Sequence, residues 1–296
     1  MRNIALRSGA RGIALVIVLW VVVLLTVIVS SFVFQARGQT RLTGNLEAGA
    51  RAEALADAGV FRGIYEQFKS PTDRQRWWPD GRVHEFGFGE ARLRISIMDE
   101  TAYIDLNAAR EPLLLGLLTS AGVEAGQAQA LVDAIVDWRD ADDLSRPSGA
   151  ERDAYAALGK VGPANVNFRT VEELKAVLGM TPELFGRIKG ALTVYSNAPG
   201  INAIVAPRQV LMALPGAETG QVDAFIAARQ AELDAGLTPT PFPPAGPYSV
   251  SGSGVYNVRS IARLDEGTEF VREAVLRLTG DPKQPISFLD WREGQP

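Results

Sequence analysis

The sequence predicts an α+β fold: a long N-terminal helix on an antiparallel sheet, with a large all-helical block inserted between strands of that sheet. Three observations carry this expectation. No proline interrupts Ile13 to Phe68, alternating strand patterns stand both before residue 108 and after residue 250, and the stretch between repeats short helical hairpins.

The helix begins with the uncharged run Ile13 to Phe34, which follows Arg11-Gly12 and is followed by Arg37. It has about the ~20 apolar residues that a helix needs to cross a hydrocarbon core. Arg2, Arg7 and Arg11 precede it without an acid, so the positive-inside bias keeps the N-terminus in the cytoplasm and exports the bulk of the chain. The run is longer than the apolar region of a secretory signal peptide. Two readings of its start stand side by side: an ordinary signal anchor, or a short basic leader ending at Gly12 that is cut before Ile13, as prepilin peptidase cuts its class III leaders. Past the membrane, Leu42, Leu46, Ala50, Ala54, Ala58, Phe61, Tyr65 and Phe68 recur at spacings of three or four. They predict a continuation of the same helix, about 80 Å in all at ~1.5 Å per residue, with this stripe laid on a folded domain.

Composition narrows the chemistry. The 296 residues include no cysteine and one histidine, His84, so disulfides, thiolate metal sites and cysteine nucleophiles are excluded. His84 lies in RVHEF, an ordinary strand pattern, and no phosphate loop, nucleophile elbow or metalloprotease helix is found. The chain is not read as an enzyme.

In the first strand region Arg92, Arg94 and Ser96 alternate with Leu93, Ile95 and Ile97, Asp99-Glu100 turns the chain, and TAYIDLN resumes an extended pattern. Residues 108 to 236 then read almost wholly as helix, in three hairpins turning at Gly122, Gly179 and Gly216. Such hairpins resemble helix-hairpin-helix or SAM-like units. Residues 237 to 248, with five prolines, read as a stiff extended connection, GVYNVRSIARLD and TEFVREAVLRLT as a closing hairpin, and Gly280 to Pro296 as a loosely held tail. The expected divisions are 1–12, 13–68, 69–107, 108–236 and 237–296.

Two constellations invite a binding role. Asp137, Asp140, Asp142 and Asp143, with Glu151 and Asp153 just beyond, crowd oxygen ligands at a helix end, a pattern that suits calcium although it does not fit an EF-hand. The alternative is a solvated acidic loop. Helix-hairpin-helix turns often grip nucleic acid backbone, but residues 107–236 hold eleven Lys or Arg against sixteen Asp or Glu, a net charge of −5. Phosphate binding asks for the opposite sign. A membrane-anchored receptor for DNA or another exported ligand is therefore the lesser reading, and no nucleic acid partner is expected.

The leader ending in Gly12, the long helix, the helical block inserted in a sheet, and the phrases MDETAYIDLNAA, DWRDADD, LKAVLGMTPELF and INAIVAPRQVLMALPG together resemble the minor pseudopilin K family of the type II secretion system. The resemblance covers essentially the whole chain and implies a pilin-like fold and a non-enzymatic role. It implies cleavage between Gly12 and Ile13 by prepilin peptidase, N-methylation of Ile13, and an inner-membrane anchor with the bulk in the periplasm. The implied partners are the I and J minor pseudopilins, other pseudopilins and the inner-membrane platform of the secretion system. Assembly at the tip of the pseudopilus is implied as well, and so is a structural calcium in the inserted block. Ile17 stands where most pilins carry Glu, a departure shared by the K subclass and suited to a tip subunit.

Overall fold

The computed structural model describes residues 11–70, 73, 75–89 and 91–295. Most of the predicted leader, residues 1–10 with Arg2 and Arg7, lies outside the described residues. Helix α1 runs unbroken from Arg11 to Phe68, 58 residues or about 87 Å at ~1.5 Å each. From Ala14 to Gln35 it is apolar and exposed throughout, as a membrane span is when no membrane surrounds it.

The second half of α1 lies on a five-stranded antiparallel sheet. Strands β1 (Asp80–Phe88) and β2 (Ala91–Asp99) precede the insertion. After it come β5 (Val255–Leu264), β6 (Glu269–Leu278) and β7 (Ile286–Glu293), in the spatial order β1-β2-β5-β6-β7. β2 pairs directly with β5, from Ala91 opposite Leu264 to Asp99 opposite Tyr256, so more than 150 residues leave and re-enter the sheet between two neighbouring strands. Along β2 the buried face is Ala91, Leu93, Ile95 and Ile97, the period of two read from the sequence.

The helix face against this sheet is not the predicted one. Ala48, Ala52, Ala56, Val60 and Ile64 are buried, whereas all eight residues of the predicted stripe from Leu42 to Phe68 are exposed. The reason is closeness of approach. A Cβ on Gly59 would lie 2.0 Å from Ser260 Oγ, and one on Gly63 would lie 2.8 Å from Val258 Cγ1. Only a face of alanine and glycine lets the helix axis settle so near the strands, and the bulkier stripe is turned away. Arg272 on β6 locks this arrangement, donating to Asp57 and Glu53 of α1.

Two further expectations are corrected. Ile286–Glu293, read as part of a loose tail, is the edge strand β7, held on β6 and by the rings of Phe288 and Trp291 against Phe61. The second half of the proline-rich connection is not extended: Pro243–Tyr248 forms a 3-10 turn, with Phe242 buried against the Phe225 ring. Proline's fixed φ suits both forms, and burial of Phe242 and Ala245 decides for the compact one.

The insertion opens with β3, only Ile104–Asp105, which leaves the main sheet and pairs in parallel with β4 (Leu192–Thr193). Between them and beyond lie three hairpins. The first is α2 (Glu111–Ser120) with α3 (Ala125–Arg139). After the short α4 (Arg152–Ala157), the second joins a 3-10 turn (Val171–Ala176) to α5 (Pro182–Ile188). The third is α6 (Arg208–Leu211) with α7 (Thr219–Asp234). Their turns carry Gly122, Gly179 and Gly216 at φ of +88°, +87° and +79°, values that exclude most side chains. The block is less helical than its sequence reads. Residues 140–151, 158–170 and 194–207 are mostly irregular, held by polar side chains rather than by helix ladders.

Candidate functional site

The phrase YIDLNAA is the hinge pin of the insertion. Asp105, fully buried, accepts from Asn107 N, Ala108 N, Ser196 Oγ and Asn197 N at 2.8–3.1 Å. Asn107 answers Phe168 at both backbone groups, donating to its carbonyl and accepting from its N–H. Arg139 reaches back to the carbonyls of Leu106 and Ala109. The start of the insertion is thus tied to its middle and to the segment after β4.

The acidic cluster that follows Arg139 divides into separate roles. Asp137 is buried at the end of α3 and accepts from Ala150 N at 2.9 Å and Arg146 N at 3.3 Å, so it braces the loop that returns past it. Gly149 permits this, since a Cβ there would sit 1.9 Å from Asp137 Oδ2. Asp142 turns its own loop by accepting from Leu144 N, and Asp143 accepts from Asn165 Nδ2. Asp153 is exposed in the first turn of α4.

Asp140 and Glu151 are different. Asp140 Oδ1 and both carboxylate oxygens of Glu151 are buried with no hydrogen-bond partner among the described residues, and so is Asn165 Oδ1. Glu151 is 8% exposed. Burial raises its acid above the ordinary 4.5, and the charges of Asp137, Asp140, Asp143 and Asp142 raise it further. Asp140 is raised by burial and by Asp142 and Asp137. Unpaired buried oxygens that repel one another are what a hard cation would satisfy. Among the described residues no three His, Asp or Glu side chains form a metal-holding group. The free oxygens come instead from two carboxylates and the amide of Asn165, a residue with φ of +49° that bridges to this loop through Asp142 O and Asp143. Residue patterns in the acidic run did not point to Asn165, which lies more than twenty positions downstream of Asp140.

Arg187, on α5 of the second hairpin, donates to Ala121 O at 2.7 Å and so ties the second hairpin to the first. His84, on β1, stacks on the ring of Trp77, which precedes the strand.

The other feature with functional content is the exposed face of α1. Leu42, Leu46, Ala50, Ala54, Ala58, Phe61, Tyr65 and Phe68 form one exposed apolar stripe beyond the membrane span, and the predicted junction Gly12-Ile13 is described by its backbone alone, within α1.

Comparison with known proteins places this geometry. Residues 96–197 match the family described as Type II secretion system (T2SS), protein K, and residues 11–61 match the PilX N-terminal family. The first match runs from β2 through the Asp105 joint and ends at Asn197, the residue whose N–H that joint binds. The chain is similar to the protein K family of the type II secretion system. Type II secretion system protein K from Aeromonas hydrophila is 29% identical over 205 residues, which span 60% of this chain and 61% of that protein. The protein K of Pseudomonas aeruginosa is 25% identical over 250 residues, 77% of this chain and 74% of the relative. Among solved structures, a chain of the GspK-GspI-GspJ complex from the enterotoxigenic Escherichia coli type 2 secretion system is similar with a TM-score of 0.60 and 20% identity, over 88% of this chain and 100% of that one. The chain therefore has the pilin-like fold with a helical insertion, and its apolar span fits a single-pass membrane anchor.

Proposed function

We propose that the chain is a non-enzymatic minor pseudopilin at the tip of the type II secretion pseudopilus, helping to initiate and cap it for export of folded proteins across the outer membrane. One observation carries the reading: α1 has two apolar faces, one buried on its own sheet and one exposed from Leu42 to Phe68 beyond the membrane span. A subunit built this way gains by packing that second face on the helices of neighbours, by van der Waals contact in the membrane and by apolar burial above it. The neighbours in this reading are the I and J minor pseudopilins and other pseudopilins, with the secretion platform of the inner membrane beneath. The N-terminus is cytoplasmic and the bulk periplasmic. Prepilin peptidase cuts between Gly12 and Ile13, and Ile13 becomes the N-methylated terminus. Ile17 supports the tip position, because a subunit with no carboxylate there needs no partner amine beyond it.

The test is to co-express the full chain with a prepilin peptidase and read the mature N-terminus by mass spectrometry beside a Gly12→Ala control. Loss of residues 1–12 with N-methyl-Ile13, blocked in the control, is the expected result. An uncut terminus, or a cut near Ser31 or Ala36, would sink the proposal.

Calcium belongs to the same reading. Asp140, Glu151 and Asn165 are the residues that would hold it, with Asp142 and Asp143 alongside. Bound there, the ion would supply positive charge to oxygens that now repel one another and would join the loop after α3 to the loop around Asn165.

A further inference from the structure

Glu100 sits where the sheet meets the insertion. It follows the last residue of β2 in a 3-10 turn (Glu100–Ala102), is 3% exposed, and forms the floor of a cleft of about 600 Å³ between the two parts. From the insertion, Thr193 Oγ1 donates to Glu100 Oε2, and Tyr195 N donates in turn to Thr193 Oγ1 at 3.1 Å. From the sheet, the Asn257 side chain of β5 is its other partner. One carboxyl thus touches both sides of the seam.

Its surroundings do not favour a charge. Asp99 and Asp105, both buried, come from the same short segment. The phenols of Tyr103 and Tyr195 stand in the cleft wall. On the sheet side Arg259, Glu273, Arg292 and Asp290 pair with one another, at 3.1, 3.0 and 2.6 Å along the chain of contacts. On the insertion side the charged groups of the cleft are Glu172 and Lys189. Among the described residues no Lys or Arg is ion-paired with Glu100.

We propose that Glu100 is a proton-operated latch: neutral, it sits dry in the seam between Thr193 and Asn257, and ionised, a buried charge with no cation beside it draws water in from the cleft and loosens the seam. Burial pushes its acid from an ordinary 4.5 up to about 7, against the donors Thr193 and Asn257, which favour the charge, and with the charges of Asp99 and Asp105 acting in the same direction as burial. The sign follows from linkage. The seated form binds the proton more tightly, so the seam is firmest below about pH 4.5, weakens as pH rises from there to about 7, and stays at its loosest above. The attitude of the insertion relative to α1 would then respond to acidity near neutral pH, with no change in secondary structure. Membership of a secretion tip is not required for this, and the latch stands or falls separately from that reading.

Hydrogen exchange of the full chain in detergent micelles, followed by mass spectrometry between pH 5.5 and 8.5 and corrected for the intrinsic rate, tests it. Peptides covering 100–106 and 189–197 should open roughly thirtyfold more at pH 8 than at pH 5.5, with a midpoint near 7, while the α2–α3 hairpin stays constant. Glu100→Gln should hold both peptides at the low-pH level throughout. Thr193→Val, which removes a donor that favours the ionised form, should move the midpoint upward. A flat wild-type profile, a Glu100→Gln profile that rises like the wild type, or an unmoved midpoint in Thr193→Val would each overturn the latch.

Discussion

The guanidinium of Arg272 donates to Asp57 through Nε and to Glu53 through Nη2, 2.6 Å in each case, although the arginine itself is only 7% exposed. It stands on β6, and its ring contacts with Phe270 and Trp291 keep the plane oriented. The two acids are one turn apart on α1, so a single side chain fixes both the height and the rotation of the helix on the sheet. Arg272→Met should lower unfolding stability by about 1–2 kcal/mol, less than a fully buried pair because Glu53 remains half in water. Chemical denaturation with a double-mutant cycle against Asp57→Asn measures the coupling. Additive effects would show that the clamp does not position the helix.

The close contact of Gly59 with Ser260 predicts a rescue. Gly59→Ala should destabilise by roughly 1–3 kcal/mol, since its methyl would fall 2.0 Å from Ser260 Oγ. That hydroxyl is buried without a partner among the described residues, so Ser260→Ala should be neutral or stabilising alone and should recover most of the loss in the double variant. Melting temperatures of the four proteins settle it, and a double variant no better than Gly59→Ala would contradict the contact.

Asp105 accepts four hydrogen bonds with no exposure to water. Asp105→Asn places an amide group against donors that need acceptors, and should cost about 2–4 kcal/mol. Limited proteolysis should then cut near Asn107 and Asn197 before it reaches the sheet.

The acidic loop predicts three unlike outcomes from three conservative changes. With millimolar calcium the wild type should melt at higher temperature than with a chelator, by mass action on the folded state. Glu151→Gln should abolish that difference, Asp153→Asn should leave it intact, and Asp137→Asn should lower stability with or without the ion because its oxygens hold backbone N–H groups. Equal calcium responses in Glu151→Gln and wild type would remove Glu151 from the ligand set.

The exposed stripe of α1 can be probed because the chain has no native cysteine. Cysteines placed at Ala54 and Ala58 should cross-link to co-expressed minor pseudopilins in membranes, while one at Ala56, which is fully buried, should not. Reaction at Ala56 with none at Ala54 would mean that neighbours approach from the other side.

Much of this protein is determined by short-range pattern. Twenty-two residues without a charge make the span from Ala14 to Gln35, alternation makes β2 and β5, and Gly122, Gly179 and Gly216 turn the hairpins because few other residues adopt a positive φ. The strand patterns flanking the helical block also reveal the insertion. Only tertiary structure decided which of two apolar stripes on α1 faces inward, since both have helical spacing and the choice depends on how near Gly59 and Gly63 let the strands come. It likewise decided that Ile286–Glu293 closes the sheet, and that Glu100, which reads as a turn residue, is buried at the seam. The acidic run was separated into brace and free oxygens by partners such as Ala150 and Asn165, and such pairings over many residues leave no period in a sequence.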